Sequence, residues 1–310
     1  MAAVKRSFRP DIADAAFRWV AFGAATVLLL TLAGLIVSLI IGGWPALSRY
    51  GLAFFTTTTW NAVTDVYGAA GPIVGTIVTS ALALLFALPI AIGIAVFLTQ
   101  FCPRWLDQPL STAVELLAGI PSIVYGMWGL FVFAPFFAAH VQMPMMIMAK
   151  PGSLLQKLTA GVPNGANLFT ASLILTIMIL PYMAAVFREL FRSIPPQVRE
   201  AAFGVGATQL EVTTKVILPY VRKGMFGVSM LGLGRALGET MAVTFIIGNT
   251  HKLPKSLFDS SSTLASTIAN EFNEASGMHM SALFALGLVL FMITFSVLAV
   301  ARWLLSTQRY

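Results

Sequence analysis

The sequence has few charged residues and almost no cysteine, and each shortage excludes a class of protein. Charged residues make up only 10% of its 310 positions and hydrophobic residues 58%, whereas a soluble domain carries about 25% charged residues. A disordered chain would not hold 23 Phe and 14 Met. The single cysteine, Cys102, excludes an internal disulfide framework, a zinc site of several thiolates and a dithiol redox pair. The chain must therefore lie largely in a lipid bilayer.

The sequence also lacks a nucleotide-binding motif. No segment matches G-x-x-x-x-G-K-[ST], because the chain contains no Gly-Lys pair. Residues 232–238 superficially resemble a dinucleotide fingerprint, but the spacing is wrong by one residue and no strand precedes it. No nucleophile–base pair or cluster of metal ligands stands out, so we expect no catalytic residue. If the protein uses ATP, another polypeptide must hydrolyse it.

Long apolar runs predict an all-α, polytopic membrane protein with six transmembrane helices. The runs cover residues 17–43, 71–100, 112–139, 166–187, 224–249 and 280–303. Each is long enough for the ~20 residues that span a hydrocarbon core. We expect kinks at four prolines inside three of these runs, namely Pro89, Pro121, Pro135 and Pro181. The first run is too long for a signal-peptide core and has no small-x-small cleavage site after it, so we expect it to be retained.

The distribution of Lys and Arg predicts the orientation of the helices. With the N-terminus inside, the inner segments hold Lys5, Arg6, Arg9, Arg18, Arg104, Arg188, Arg192, Arg199, Lys215, Arg222, Lys223, Arg302 and Arg309. The outer segments hold Arg49, Lys150, Lys157, Lys252 and Lys255. The positive-inside rule therefore places both termini in the cytoplasm. Since topology accounts for the net charge of +7, no nucleic-acid partner is needed to explain it.

Three long outer stretches, residues 44–70, 140–165 and 250–279, predict a folded external surface, with a helix over about 264–274 lying across it. The second stretch contains Met143, Met145, Met146 and Met148. Thioether sulfur can bind copper, but we interpret these side chains as an adaptable apolar patch and assign no metal. The outer histidines are interpreted as interface residues rather than proton carriers: His140, His251 and His279.

The loop between the fourth and fifth predicted spans, about residues 188–223, is the most polar long stretch of the chain. Its predicted elements are a helix over 197–204 after Pro195-Pro196, a turn at Gly206, and a second helix that Thr208 and Glu211 cap and Pro219 ends. We therefore predict a short helix–turn–helix at the cytoplasmic face. A DNA-reading role is disfavoured, because a recognition helix tied to the membrane at both ends reads DNA poorly.

Two motifs in this loop stand at set distances from each other. Glu200-Ala201-Ala202 precedes Gly206 by three residues, and nine residues then separate Gly206 from the segment VILP at 216–219. The pattern resembles the EAA loop of bacterial ABC importer permeases, with valine at 216 where isoleucine is commonest. In that family the loop forms the coupling helix, which sits in a groove of the ATPase subunit. The resemblance thus assigns ATPase coupling to Glu200, Ala201, Ala202 and Gly206.

The fifth predicted span contains two charged residues, Arg235 and Glu239. A charge at the centre of a membrane helix costs about 2.5–3.5 kcal/mol on insertion scales, so such residues face a polar cavity or a partner. The i, i+4 spacing puts both on one helical face, and Thr240 and Thr244 form a second pair on an adjacent stripe. One interpretation is an internal salt bridge that neutralises both charges. The other, which we adopt, is a translocation site in which Arg235 donates hydrogen bonds to a crossing anion while Glu239 holds Arg235 and weakens its field.

An anion that enters a cell with a negative interior needs a pump. Each negative charge costs about 2.3 kcal/mol per 100 mV, so passive uptake of a dianion fails even before a concentration gradient is considered. An ATP-driven importer agrees with both the coupling loop and the intramembrane arginine. A secondary transporter without ATP is less favoured, because no inverted repeat is visible.

Four segments carry a closer resemblance: GLGRALGETMAVTFIIGNT at 232–250, residues 60–68, ELLAGIPSIVYGMWG at 115–129, and ANEF at 269–272. They resemble phosphate-specific ABC permeases over nearly the whole chain. The resemblance implies a MetI-like type I importer permease fold, inorganic phosphate as cargo, and a role for Arg235 and Glu239 in its transport. It implies as partners a PstA-type permease, two PstB-type ATPases that bind ATP and Mg, and a PstS-type external phosphate-binding protein. Another oxyanion, sulfate or molybdate, is the alternative cargo.

This resemblance also implies a domain organisation and a location. Residues 1–70 comprise a cytoplasmic N-terminus, the first transmembrane helix and an outer loop. Residues 71–305 form the ABC type-1 permease domain, with the coupling loop at about 195–219. The expected location is the bacterial cytoplasmic membrane, in contact with its lipids.

Glu115 lies near the inner end of the third predicted span and has two interpretations. It either caps the helix start beside Ser111 and Thr112, or it pairs with a basic residue in a gate. We expect the cap, because the macrodipole stabilises an acidic residue near a helix N-terminus.

Overall fold

Helices make up most of residues 12–307, the part of the chain described by this computed structural model. They are α1 (Ile12–Tyr50), α2 (Ala53–Thr56), α3 (Ala70–Val96), α4 (Arg104–Ala118), α5 (Ser122–Trp128), α6 (Ala134–Phe137), α7 (Met143–Met148), α8 (Leu154–Thr159), α9 (Leu168–Arg192), α10 (Pro196–Gly204), α11 (Gln209–Glu211), α12 (Leu218–Tyr220), α13 (Arg222–Leu237), α14 (Met241–Ile246), α15 (Leu264–Glu271) and α16 (Gly277–Thr307). Three π-helical segments join consecutive helices end to end, Gly129–Phe133, Ala138–Gln142 and Val212–Ile217, and a fourth, Phe97–Phe101, extends α3. Strands β1 (Trp60–Asn61) and β2 (Val66–Tyr67) form a small antiparallel hairpin. Four residues of the orientation argument, Lys5, Arg6, Arg9 and Arg309, lie outside the described residues.

Five helical segments of the described chain are long and apolar enough to cross a bilayer: Asp14–Tyr50, Ala70–Phe101, Ser122–Met148, Leu168–Arg192 and Gly277–Trp303. A sixth crossing requires the bent pair Gln209–Tyr220 and Arg222–Leu237, whose axes meet at 70°. The prediction of an all-α, polytopic fold is confirmed. The fifth predicted span, however, is not one straight helix.

The third span begins later than the sequence predicts. Pro121 does not merely kink this span but separates α4 from α5, because proline restricts the residue before it and has no N–H for the helix ladder. Residues 112–118 therefore belong to α4, an amphipathic helix that exposes Trp105 and Leu116 and packs against α9. Pro89 and Pro181 behave differently, since α3 and α9 continue through them.

One face of α3 carries a small residue at every fourth position. The buried members of this stripe are Gly71, Gly75, Thr79, Ala83, Ala87, Ala91 and Ala95. Side chains this small let α3 pack closely against α9, whose Ile174, Met178 and Phe187 are buried in the same core. Since lipid tails are as apolar as leucine, such close packing is a main source of helix association in a membrane.

The outer end of this stripe also holds the loop that precedes α15. A Cβ atom on Gly71 would lie 2.1 Å from the His251 carbonyl oxygen, and one on Gly75 would lie 2.0 Å from that of Ser262. Thr76 Oγ1 accepts a hydrogen bond of 2.9 Å from the N–H of Leu264, the first residue of α15. The outer helix expected from residue 264 is therefore present and is anchored to α3.

The first helix docks on the last one. Ser281 Oγ accepts a hydrogen bond from the Ala46 N–H at 3.0 Å and donates one to the Gly42 carbonyl at 2.7 Å. Gly43 permits this approach, since a Cβ there would lie 3.0 Å from the Ala285 nitrogen. The first helix also extends beyond its predicted end at residue 43 and continues through Pro45 to Tyr50.

Two glycines of α3 provide a matched test of this packing. Gly75→Ala should lower the free energy of unfolding by about 1–3 kcal/mol, because the added methyl group overlaps the Ser262 carbonyl. Gly93→Ala in the same helix meets no atom within 4 Å and should stabilise the chain by up to about 1 kcal/mol through helix propensity. Thermal unfolding in detergent measures both effects, and equal midpoints for the two variants would contradict the packing argument.

Candidate translocation site and coupling surface

The fifth crossing is broken at its charged segment. Helix α13 ends at Leu237 and α14 begins at Met241. The chain turns tightly between them, where the Gly238 N–H donates to the Gly234 carbonyl at 3.3 Å and glycine disfavours continuation of the helix. Arg235 consequently lies in the last turn of α13 and Glu239 lies within the break, and among the described residues the two form no ion pair. The expectation that they share one continuous helical face is wrong.

Glu239 instead caps the second half-helix. Its Oε1 accepts a hydrogen bond from the Ala242 N–H at 3.2 Å, in the first turn of α14. The Thr240 carbonyl accepts the Thr244 N–H at 3.0 Å and the Thr244 hydroxyl at 2.7 Å. The Thr240 hydroxyl donates to the Gly238 carbonyl at 3.4 Å. The two threonines thus support α14 rather than form a separate polar stripe.

The break lies at membrane depth. The 16 residues of α13 rise about 24 Å from the inner end, in a hydrocarbon core of about 30 Å. Irregular backbone at that depth is tolerated where it is buried in protein or lines a water-filled cavity. Gly238 is exposed, and Glu239 and Thr240 are half-buried. The segment is therefore accessible at the surface of the described chain.

Arg235 lies in the last turn of α13 and contacts an aromatic ring. Its guanidinium carbon is 5.2 Å from the ring centroid of Tyr182 on α9. Gly232, one turn earlier, allows α13 to approach α9 closely, because a Cβ there would lie 2.6 Å from Met183 Sδ. Sequence reasoning did not single out Tyr182, although a tyrosine directly after Pro181 in an apolar span is a signal that could have drawn attention to it.

The predicted helix–turn–helix of the inner loop is present. Helix α10 ends at Gly204, and Gly206 adopts φ +87°, a conformation that glycine reaches without strain. The predicted capping box is confirmed, since the Thr208 N–H donates to Glu211 Oε2 at 3.1 Å and Thr208 Oγ1 accepts the Glu211 N–H at 3.4 Å. The second helix ends at Tyr220, one residue after Pro219.

The proposed docking residues form an exposed surface on α10 and the following turn. Glu200, Ala201 and Gly206 are exposed, and Ala202 is half-buried. Beside them Phe203 is 45% exposed and Val205 86% exposed, so the surface is partly apolar. Such a surface is suited to contact with another protein.

Two hydrogen bonds fasten this loop to the membrane spans. Arg199 Nη2 donates to the Phe191 carbonyl at 2.7 Å, near the C-terminal end of α9. Gln209 Nε2 donates to the Gln100 carbonyl at 2.8 Å, at the C-terminal end of the second crossing. The loop is thus held against two of the transmembrane helices.

Glu115 pairs with a buried arginine and does not cap a helix. Helix α4 begins at Arg104, so Glu115 lies close to its C-terminal end. Its Oε1 is 2.6 Å from Nη2 of Arg188, whose side chain is only 6% exposed. The capping interpretation is therefore wrong, and the alternative pairing with a basic residue is the one observed. A second ion pair joins the same helices at 2.8 Å, between Asp107 and Arg192.

One carboxylate at the end of α15 contacts three side chains from distant parts of the chain. Glu271 Oε2 accepts hydrogen bonds from Trp60 Nε1 at 2.8 Å and His279 Nε2 at 2.6 Å, and Glu271 Oε1 lies 3.0 Å from His251 Nε2. The His251 ring stacks on Trp60, and the His279 ring stacks on Tyr67. We call these five residues the Glu271 cluster. The cluster joins two of the segments that resemble phosphate-specific permeases, residues 60–68 and 269–272.

Burial shifts two pKa values in the Glu271 cluster. It raises the pKa of Tyr67 to about 12, with Asp65 adding to the effect. It lowers the pKa of His251, and the nearby Glu271 carboxylate opposes that shift only in part. The fold therefore favours neutral His251.

The family match rests on most of the chain. Residues 87–310 match the family described as binding-protein-dependent transport system inner membrane component. The chain belongs to this family, and it is a multi-pass inner-membrane permease subunit of an ABC transporter.

Similar individual proteins carry the same name, PstC. The phosphate transport system permease protein PstC of Mesorhizobium japonicum is 51% identical over 295 residues, which cover 95% of this chain and 90% of the relative. PstC of Haemophilus influenzae is 51% identical, with 92% and 90% covered. PstC 1 of Mycobacterium tuberculosis is 36% identical, with 94% and 92% covered.

Solved structures share the fold at low sequence identity. A chain of the bacterial alginate ABC transporter, in complex with an alginate pentasaccharide-bound periplasmic protein, superposes with a TM-score of 0.59 at 16% identity. That match covers 93% of this chain and 94% of the other. A chain of the inward-facing MetNI methionine ABC transporter gives 0.57 at 16% identity, with 76% and 94% covered. The predicted MetI-like importer permease fold is thereby confirmed.

The lowered pKa of His251 predicts a pH-dependent stability. The folded protein binds a proton at His251 less readily than the unfolded chain does, because the pKa of His251 in the fold is below the ordinary value of 6.5. The contribution of His251 to the free energy of unfolding is therefore highest above pH 6.5, and it decreases as the pH falls from 6.5 through the pKa of the folded state. His251→Gln should therefore reduce the loss of thermal stability between about pH 7 and pH 5. His140→Gln is the control, because that ring contacts the Phe136 carbonyl and not a carboxylate. If the melting temperatures of wild type and His251→Gln changed by the same amount between about pH 7 and pH 5, the assignment would be contradicted.

Proposed function

We propose that the chain is the permease subunit of an ATP-binding cassette importer that moves inorganic phosphate into the cell by alternating access. Relatives named phosphate transport system permease, at 51% identity over nine-tenths of both chains, support phosphate as the cargo. The same architecture could carry sulfate or molybdate instead. Competition by these anions in an uptake assay distinguishes the cargoes.

One observation carries the mechanism: an exposed guanidinium at a break in a membrane crossing, with no carboxylate paired to it in the described chain. Arg235 keeps its hydrogen-bond donors available, and a guanidinium matches the oxygen geometry of phosphate. Glu239 remains close in sequence, and its negative charge weakens the local field so that the anion is released rather than trapped. Thr240 and Thr244 hold the half-helix that forms the outer wall of this site.

The energy source follows from the charge of the cargo. A phosphate dianion that enters a cell with a negative interior must overcome about 2.3 kcal/mol per charge per 100 mV. This chain contains no Gly-Lys pair and therefore no P-loop. ATP and Mg accordingly bind to a partner ATPase, and the movement reaches this chain through the loop at 195–219.

We assign three kinds of partner to the complex. A PstA-type permease completes the pore, a subunit of a PstB-type ATPase dimer docks on Glu200, Ala201, Ala202 and Gly206, and a PstS-type phosphate-binding protein delivers the cargo from outside. The family description, which names a binding-protein-dependent system, supports an external delivery protein. The exposed and partly apolar surface around Glu200 supports docking of the ATPase.

The orientation proposed for the chain has both termini in the cytoplasm. It is supported by the excess of Lys and Arg on the segments that share a side with the coupling loop. The division into residues 1–70 and a permease domain at 71–305 is likewise part of this proposal.

Arg235→Gln tests the translocation site. The variant keeps a polar side chain but loses the charge and most of the donors, so phosphate uptake should fall to the background of membranes without the chain. Assembly with the partners and ATP hydrolysis should persist. Arg222→Gln, the same change at the inner end of the same helix, should retain uptake. Normal uptake by the Arg235→Gln variant in proteoliposomes would rule out the site.

Glu200→Lys tests the coupling surface. Reversal of this exposed charge should repel a basic docking groove and reduce the amount of ATPase that co-purifies with the permease, by about 10-fold for a charge contact worth roughly 1.4 kcal/mol. Gln108→Lys adds a positive charge to an exposed site outside the loop and is the control. Full retention of the ATPase by the Glu200→Lys variant would argue against docking at this surface.

A further inference from the structure

We infer that Tyr182 is the positioning residue of the translocation site, with its aromatic ring holding the Arg235 guanidinium beside the path of the anion. The inference rests on the proposed function of Arg235 and adds a residue on a different helix. Tyr182, rather than Glu239, holds Arg235 in place, because the Glu239 carboxylate is engaged as the cap of α14.

The charge of Arg235 needs a stabilising contact inside the membrane. Among the described residues, its charge meets no carboxylate within ion-pair distance; it interacts electrostatically with Tyr125 on α5, and the ring that it faces is that of Tyr182 at 5.2 Å. A guanidinium over an aromatic face is attracted by the ring quadrupole, and more strongly where water is excluded. The ring therefore compensates part of the cost of placing a charge at this depth.

An aromatic ring is a better partner for Arg235 than a carboxylate is, because transport requires that the guanidinium stay available to the anion. A carboxylate partner would occupy the guanidinium donors and repel an incoming anion. A guanidinium attracted to the face of a ring uses none of its five N–H groups in a hydrogen bond to that ring, so an oxyanion can accept them. Tyr182 thus fixes the position of the charge without cancelling it.

Tyr182 is fixed in position by the packing of α9. It lies in α9, between Pro181 and Met183, which are both buried. Close approach of α13 at Gly232 sets the distance between the two helices one turn before Arg235. The Tyr182 ring is half-buried, and within residues 12–307 its hydroxyl makes no hydrogen bond. The ring rather than the hydroxyl therefore makes the observed contact.

The test uses the complete importer, with all partner subunits and the external binding protein, in proteoliposomes. Phosphate uptake and ATP hydrolysis are measured together for Tyr182→Leu and Tyr182→Phe. Tyr182→Leu should lower the maximal uptake rate about 10-fold or more while ATP hydrolysis continues, so that more ATP is consumed per phosphate. Tyr182→Phe keeps the ring and should stay within about two-fold of wild type.

A matched control removes a different ring from the same helix. Phe169 contacts other phenylalanines, among them Phe86 and Phe258, and no cation. Phe169→Leu should leave the ratio of ATP consumed to phosphate imported unchanged. An increase in that ratio confined to the Tyr182 variant identifies a positioning role, because a general packing defect lowers both activities together.

Three outcomes would overturn the inference. The first is a wild-type ratio of ATP to phosphate in Tyr182→Leu. The second is an equal defect in Tyr182→Phe, which would assign the effect to the hydroxyl. The third is failure of both Tyr182→Leu and Tyr182→Met to assemble, which would assign Tyr182 to packing. Absence of phosphate uptake by the wild-type complex would instead overturn the proposed function, so the two failures are distinguishable.

Discussion

The close packing of α3 against α9 is the contact on which the other parts of the molecule depend. The small residues repeated along α3 bring the two helices together at the centre of the core. At its outer end the same stripe holds the backbone at His251 and Ser262. On α9 it supports Tyr182 in the middle of the span and Arg188 at the inner end. One packing constraint therefore connects the outer loops, the candidate site and the inner ion pairs.

The broken fifth crossing separates two tasks that a continuous helix would have combined. In a continuous helix, Arg235 and Glu239 would neutralise each other one turn apart. The turn at Gly238 directs the carboxylate to the backbone of α14 and leaves the guanidinium against the aromatic ring of Tyr182. The two charges are thus retained in the membrane without forming a salt bridge, and the positive one stays accessible.

Hydropathy and end signals predicted the spans, the inner helix–turn–helix and the Thr208 capping box because these features depend on residues close together in sequence. Gly238 is a local signal for a helix break, but one glycine in an apolar run does not by itself distinguish a break from a continuous helix. The cap predicted for Glu115 requires a helix start near residue 112, whereas α4 starts at Arg104 and Glu115 lies near its C-terminal end. Contacts such as Glu271 with Trp60 join residues 211 positions apart, and no local pattern encodes them.

The 70° bend at Val221 leaves no flexible linker between the coupling loop and α13. Because the second loop helix and α13 meet directly at Val221, a rotation of one about this residue also rotates the other. Arg235 lies about 20 Å from Val221 along α13, so a rotation of about 10° would displace it by about 3 Å. That distance is comparable to the length of a hydrogen bond. A small tilt of the loop helix is thus sufficient to move the guanidinium by the length of a hydrogen bond.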